Sequence, residues 1–265
     1  MGTLSVRHAS GTIKGANRSK NSDRFRVFSL PLFNEANVHG AVICDGASDA
    51  PRSDAGAADL AAVVEASLAE HLPRRREPDF WISTLRNAVL DGILAAAGEH
   101  TGDVELDTVL SGRYSCTIAG VLIDDDYIWF FRWGSALHAA IDTSNLDFTL
   151  VEHFPAGEPF PVLTLLNGQK LRKQQTRNFT VKRYPSRIPR TGAATFTTAL
   201  VASKGMIPLF RNPPEWGSWR DLLKKDHGFA GDGCLTRYLQ EAAFAQADPL
   251  FLTDASIVAF DLKRA

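Results

Sequence analysis

Three apolar runs between Cys116 and Ile141, separated by short polar turns, constrain this chain more than any other feature. Cys116 to Ile123, Tyr127 to Trp133 and Ala136 to Ile141 are rich in branched and aromatic residues, which suit a buried pleated surface. Asp124-Asp125-Asp126 supplies the carboxylates that close a hairpin turn between the first two. Strands joined that tightly run antiparallel, so the middle of the chain is expected to be a meander rather than part of a βαβ repeat.

The flanks extend this pattern. Leu4 to His8, Phe25 to Ser29 and Ala41 to Cys44 read as strands, the last running straight into Asp45-Gly46. Leu60, Val64 and Leu68 recur at helical steps, as do Ile82, Leu85, Val89 and Ile93, and Pro73 with Arg74-Arg75-Arg76 separates the two stripes. A polar loop leads from there to the meander. Beyond it, the prolines between Thr143 and Thr195 imply extended segments and a surface excursion. Thr197 to Ser203 reads as strand, Leu235 to Ala247 as helix and Ala255 to Asp261 as a closing strand. Strands, two helices, more strands, a helix and a last strand favour a β-sandwich with helices on its outer faces.

With 265 residues, 45% of them hydrophobic, one domain spanning 1–265 is expected, with the irregular excursion at about 143–195. Twenty-nine basic residues balance thirty acidic ones, so no global field draws the molecule to nucleic acid or membrane. No apolar run approaches the about 20 residues that span a bilayer, and the polar opening is unlike a signal peptide. Cys44, Cys116 and Cys234 are odd in number and form no C-x-x-C pair, which points to a reducing, cytoplasmic setting.

Four separated segments carry a family pattern. They are Gly15-Ala16-Asn17-Arg18-Ser19-Lys20-Asn21-Ser22-Asp23; Ile43-Cys44-Asp45-Gly46 with Ser53-Asp54-Ala55-Gly56; Ser115-Cys116-Thr117 with Trp133-Gly134-Ser135; and Ala202-Ser203-Lys204-Gly205 with Thr253-Asp254-Ala255-Ser256-Ile257. In order and spacing these resemble the motifs of the PPM (type 2C) metal-dependent serine/threonine phosphatases. The resemblance implies an α+β fold, a four-layer α-β-β-α sandwich of two mainly antiparallel sheets flanked by helices. It also implies a site where carboxylates hold two Mn²⁺ or Mg²⁺ ions about a bridging water.

Hard divalent ions need anionic oxygen ligands, and two of them about 3.5–4 Å apart repel unless carboxylates lie between them. By resemblance, Asp45 is the bridging ligand, Gly46 offers its carbonyl, Asp23 orders metal-bound water and Arg18 grips the substrate phosphate. The remaining ligand positions carry Ser22, Ser135, Lys204 and Thr253 where the family has acids. A one-residue slip at the last would offer Asp254 instead, but Thr253 keeps Ser256 and Ile257 in place and preserves the faces of the strand.

At Ser22, Asp45, Lys204 and Thr253 the formal charge is thus about zero, where two dications ask for about −4. No catalytic residues and no cofactor are therefore expected. The implied role is a pseudophosphatase acting as a phospho-signalling, regulatory or scaffolding module, with Lys204 standing in for a metal beside Asp45. The ordinary alternative for Lys204 is an exposed lysine at a strand end. By family analogy the partner is a kinase or a phosphoprotein.

Two other readings stand beside this. An active enzyme with a reduced site would hold Mn²⁺ or Mg²⁺ weakly through Asp45, Gly46 and waters, helped by Asp23 or Asp49. Alternatively, Lys170, Arg172, Lys173, Arg177, Lys182, Arg183, Arg187 and Arg190, with no acid among them, would bind an acidic protein surface; nucleic acid is the less expected ligand. Other hydrolase signatures are missing: no C-x₅-R, G-x-S-x-G, P-loop or H-E-x-x-H occurs. Ser135 and His138, three residues apart, would point to opposite faces of a strand.

Overall fold

The computed structural model describes residues 4–31, 37–72, 81–141, 149–153, 179–185, 196–211, 229, 233–244 and 251–264. Its strands are β1 (Leu4–Ile13), β2 (Asp23–Pro31), β3 (Asn37–Gly46), β4 (Cys116–Ile123), β5 (Tyr127–Trp133), β6 (Leu137–Ile141), β7 (Thr149–His153), β8 (Phe179–Pro185), β9 (Thr198–Ala202) and β10 (Ala255–Arg264). The helices are α1 (Ser53–His71), α2 (Arg86–Gly98, preceded by a π turn at Trp81–Leu85), α3 (Leu106–Arg113), α4 (Ile207–Arg211) and α5 (Cys234–Phe244).

Two five-stranded antiparallel sheets form, ordered β1-β10-β9-β6-β7 and β2-β3-β4-β5-β8. Strand alternation sorts the side chains into three apolar layers. Val42 and Cys44 of β3, with Trp129, Phe131 and Trp133 of β5, pack beneath α1 and α2. Ala41, Ile43, Val121, Phe130, Val201, Val258 and Phe260 fill the space between the sheets. Leu137, Leu200 and Ile257 pack against Leu235 and Leu239 of α5. Helices therefore cover both outer faces, which is the α-β-β-α sandwich implied by the motifs. Among the described residues no helix is long and apolar enough to cross a membrane.

The meander appears where its apolar runs placed it, except that β6 begins at Leu137 rather than Ala136. Its first turn closes as expected, because Asp124 Oδ1 accepts hydrogen bonds from the N–H groups of Asp126 (2.8 Å) and Tyr127 (2.7 Å).

One connection departs from the expectation. The polar loop before β4 contains α3, a helix of eight residues in which only Leu110 is fully buried, too little to register as periodicity. The excursion at 143–195, expected to hold extended segments, contributes the strands β7 and β8; in β8 Phe179 is buried while Lys182 and Arg183 are exposed, as suits an edge strand. The arginine run after Pro73, Trp216 and Trp219 lie outside the described residues.

Candidate functional site

All four motif segments meet at one end of the sandwich. β1 ends there, β2 begins, β3 ends, β4 begins, β9 ends and β10 begins, with the pairings Ile13 to Ala255, Asp23 to Asp45, Asp45 to Thr117 and Ile257 to Ala202. Parity decides what lies inside. Phe25, Ile43, Ala119, Val201 and Val258 face the opposite sheet, so Asp23, Asp45, Thr117, Ser203 and Ser256 share that face and cap the apolar filling with a polar layer.

Asp23 and Asp45 stand directly opposite each other on adjacent strands. Asp23 is buried, and its Oδ2 accepts a hydrogen bond from Ser203 Oγ at 2.7 Å. Its Oδ1 is buried with no hydrogen-bond partner among the described residues. Burial, reinforced by the facing Asp45, pushes the Asp23 carboxyl well above the usual range. Asp45 is pushed up to about 6, again mainly by burial, while the Asp23 carboxyl, Lys204 and Arg18 pull it back. Both shifts run toward the neutral carboxyl, the direction that relieves the repulsion between the two.

Asp254 is the residue that sequence reasoning set aside. It is 2% exposed, and its oxygens accept hydrogen bonds from two backbone N–H groups, Gly15 at 2.9 Å and Ser22 at 2.6 Å. Its charge raises both Asp23 and Asp45, so it belongs to the same cluster. Its neighbour Thr253, half-buried, packs by its backbone against Gly15, where an added Cβ would lie 2.4 Å from the Thr253 carbonyl carbon. Likewise a Cβ on Gly205 would lie 1.9 Å from the Asp254 carbonyl oxygen. The β1–β2 loop, the turn before β10 and the turn after β9 are pressed together at the level of the main chain.

Lys204, half-buried, opens the 3₁₀ turn Lys204–Met206 directly after Ser203. Together with Arg18 it acts on Asp45 through its charge rather than through a hydrogen bond. The backbone N–H of Arg18 bonds the Gly15 carbonyl at 3.1 Å, which curls the loop over the site. Further along that loop, Lys20 pairs with Asp54 and donates to the Pro51 carbonyl at 3.1 Å, and Arg24 lies 3.8 Å from Asp54, tying the loop to the start of α1.

Asn21 and Ser256 hold the frame. Asn21 Oδ1 accepts from the Asp23 N–H at 2.9 Å and its Nδ2 donates to Thr12 Oγ1 at 2.7 Å, which is itself 2.7 Å from Ser256 Oγ. Ser135 is buried after the turn from β5 to β6, where Gly134 takes φ +92° and packs on Thr117. His138 stacks on Phe130 with centroids 4.5 Å apart and is a core residue. Asp49 is exposed beyond Gly46.

Of the basic stretch only Lys182 and Arg183 are described, and they point to opposite faces of β8. The Arg183 guanidinium lies over the rings of Tyr127 (4.5 Å) and Trp129 (5.2 Å). Lys170, Arg172, Lys173, Arg177, Arg187 and Arg190 lie outside the described residues.

The donor set does not fit two divalent ions. Asp254 already has both oxygens engaged by backbone N–H groups, and Ser22, Lys204 and Thr253 bring no anion. What remains is Asp45 and the buried Oδ1 of Asp23, which has no hydrogen-bond partner among the described residues and would suit one cation that keeps several waters.

No protein-family model matches this sequence, and no curated protein matches it. Solved structures do match its fold. The chain aligns over its full length with the PP2C phosphatase domain and regulatory-domain fragment of the cell-fate determinant SpoIIE from Bacillus subtilis, at 10% identity and a TM-score of 0.57, spanning 65% of that chain. It aligns with the serine/threonine phosphatase Stp1 from Staphylococcus aureus at 14% identity and TM-score 0.56, covering 99% of this chain and 97% of that one. The catalytic domain of the serine/threonine phosphatase PstP, solved with two manganese ions, aligns at 13% identity and TM-score 0.55, covering 98% and 99%.

Proposed function

We propose that this chain, which has the fold of the PP2C (PPM) serine/threonine phosphatases, is a pseudophosphatase that keeps the frame of the site and replaces its metal charge with protein charge. The observation that carries this reading is Lys204, whose ammonium group offsets Asp45 where a two-metal centre needs another acid. A charge fixed to the chain stabilises the carboxylate layer but cannot polarise water as a divalent ion does.

Arg18 supplies a planar fork suited to phosphate oxygens. The module accordingly holds a phosphorylated serine or threonine without cleaving it, and its partner is a kinase or a phosphoprotein in the cytoplasm. A second reading, one weakly bound Mn²⁺ or Mg²⁺ with residual turnover, draws its support from the orphaned Asp23 Oδ1.

Calorimetric titration of Mn²⁺ into the protein, with p-nitrophenyl phosphate hydrolysis in the same samples, separates the two. The expected result is no binding below millimolar Mn²⁺ and no metal-dependent turnover. Micromolar affinity with turnover overturns the proposal. The variant combining Ser22→Glu, Lys204→Asp and Thr253→Asp is expected to gain Mn²⁺ affinity; if it folds and gains none, the assignment of the ligand positions is wrong.

A further inference from the structure

A groove of about 260 Å³ opens beside the start of α1, away from the carboxylate layer. Pro51 and Arg52 form one wall, and Val104, Thr108, Val109 and Gly112, from the α2–α3 connection and α3, form the other. Val104 is 49% exposed and Leu106, next but one, is 38% exposed; these are two of the few large apolar side chains the described surface shows to water.

The charge around this groove is lopsided. Glu99, Asp103, Glu105 and Asp107 are all exposed, and each adjoins in the chain a residue that lines the groove. Among the described residues no ion pair uses any of the four. The basic side chains that line the groove do not balance them. Arg113 places Nε and Nη2 on Asp59 Oδ2 at 2.9 and 2.7 Å, and His100 Nε2 lies 3.6 Å from the same oxygen, so both turn down toward α1. Of the basic side chains that line the groove, Arg52 alone has no carboxylate partner among the described residues.

We infer that this groove docks a short protein segment that carries an apolar side chain flanked by lysine or arginine. The apolar residue covers Val104 and fills the space above Gly112, while its basic neighbours meet the four rim carboxylates. An acidic segment would meet the same rim with like charge, so the rim also discriminates. The inference is independent of the phosphate reading at Arg18, since neither the groove nor its rim shares a residue with the carboxylate layer.

The test uses two fluorescein-labelled octapeptides, each with a central leucine, one flanked by arginines and lysines and the other by glutamates and aspartates. Binding is followed by fluorescence polarisation, and amide shifts in ¹H–¹⁵N spectra locate it. The basic peptide is expected to saturate at micromolar to sub-millimolar concentration, with the largest shifts at Val104, Thr108 and Gly112, and to bind at least tenfold more tightly than the acidic one.

Two variants should each weaken it about tenfold: the rim reversal Asp103→Lys with Glu105→Lys and Asp107→Lys, and Gly112→Leu, which plugs the groove at a helical position whose Cβ meets nothing closer than Pro51 Cδ at 4.0 Å. Circular dichroism confirms that each is folded. Equal binding of both peptides, shifts confined to other surfaces, no saturation by millimolar peptide, or folded variants that bind like wild type would overturn the inference.

Discussion

Two groups of acids in this molecule solve the same problem differently. Asp59, on α1, is partly exposed and receives two N–H groups of the Arg113 guanidinium together with the Tyr114 hydroxyl at 3.1 Å. Asp23 and Asp45 face each other on adjacent strands, and against their burial stand the Ser203 hydroxyl on Asp23, the contact between the two carboxyls and the charges of Lys204 and Arg18. Asp59 gathers three donors on one oxygen, Oδ2, whereas the sheet-end pair keeps one buried oxygen orphaned and a carboxyl pushed up to about 6. Buried polar groups arranged only for stability are generally satisfied, so the mismatch sets the sheet-end pair apart from Asp59 as the place where the fold tolerates an electrostatic cost.

The largest effect should come from the one sheet-end acid that is fully satisfied. Asp254→Ala leaves the Gly15 and Ser22 N–H groups without acceptors and is expected to cost about 3 kcal/mol in urea unfolding, with Asp254→Asn costing less because one acceptor survives. On the other side of the comparison, Arg113→Leu strips the fork from Asp59. Because that carboxylate is partly exposed, a loss of about 1–2 kcal/mol is expected, shrinking in high salt.

The orphaned pair should reveal itself through pH. Since the folded Asp45 titrates at about 6, above its ordinary 3.8, the unfolded chain releases that proton first. Stability is therefore full below the unfolded value and falls as pH rises through about 6, by up to about 3 kcal/mol for such a group. Asp23, shifted in the same direction, extends the decline upward. Urea midpoints measured from pH 4 to 7.5 should decline in wild type and flatten in Asp45→Asn; an unchanged slope would show that the pair is not the source. Smallest is Lys204→Met, expected to raise the Asp45 titration further, read from its carboxyl ¹³C shift. If that titration stays put, Lys204 is not the compensating charge.

The fold was far more legible than the site. Meander strands are buried on both faces, so their apolar runs are continuous and end sharply at turn residues, and β4 and β5 begin and end where the sequence indicated. β8 was hidden because an edge strand carries exposed cations, and α3 because it buries so little. At the site, motif spacing located Asp23, Asp45 and Lys204, and strand parity then follows from simple alternation. Asp254 could not be weighed in this way. Its partners, the Gly15 and Ser22 N–H groups, are main-chain atoms more than 200 residues away in the chain, and backbone donors leave no trace in side-chain pattern.

The close main-chain contacts of Gly15 with Thr253 and of Gly205 with Asp254 bear on how such a site changes over time. The frame around the carboxylates is fixed by residues that have no side chain to exchange, so ligand positions can be rewritten one at a time without moving the walls. Exchanges among neutral, cationic and acidic groups at those positions then replace outward-reaching side chains on a constant mould. Loss of a glycine from that mould, rather than loss of an acid, would be the irreversible step.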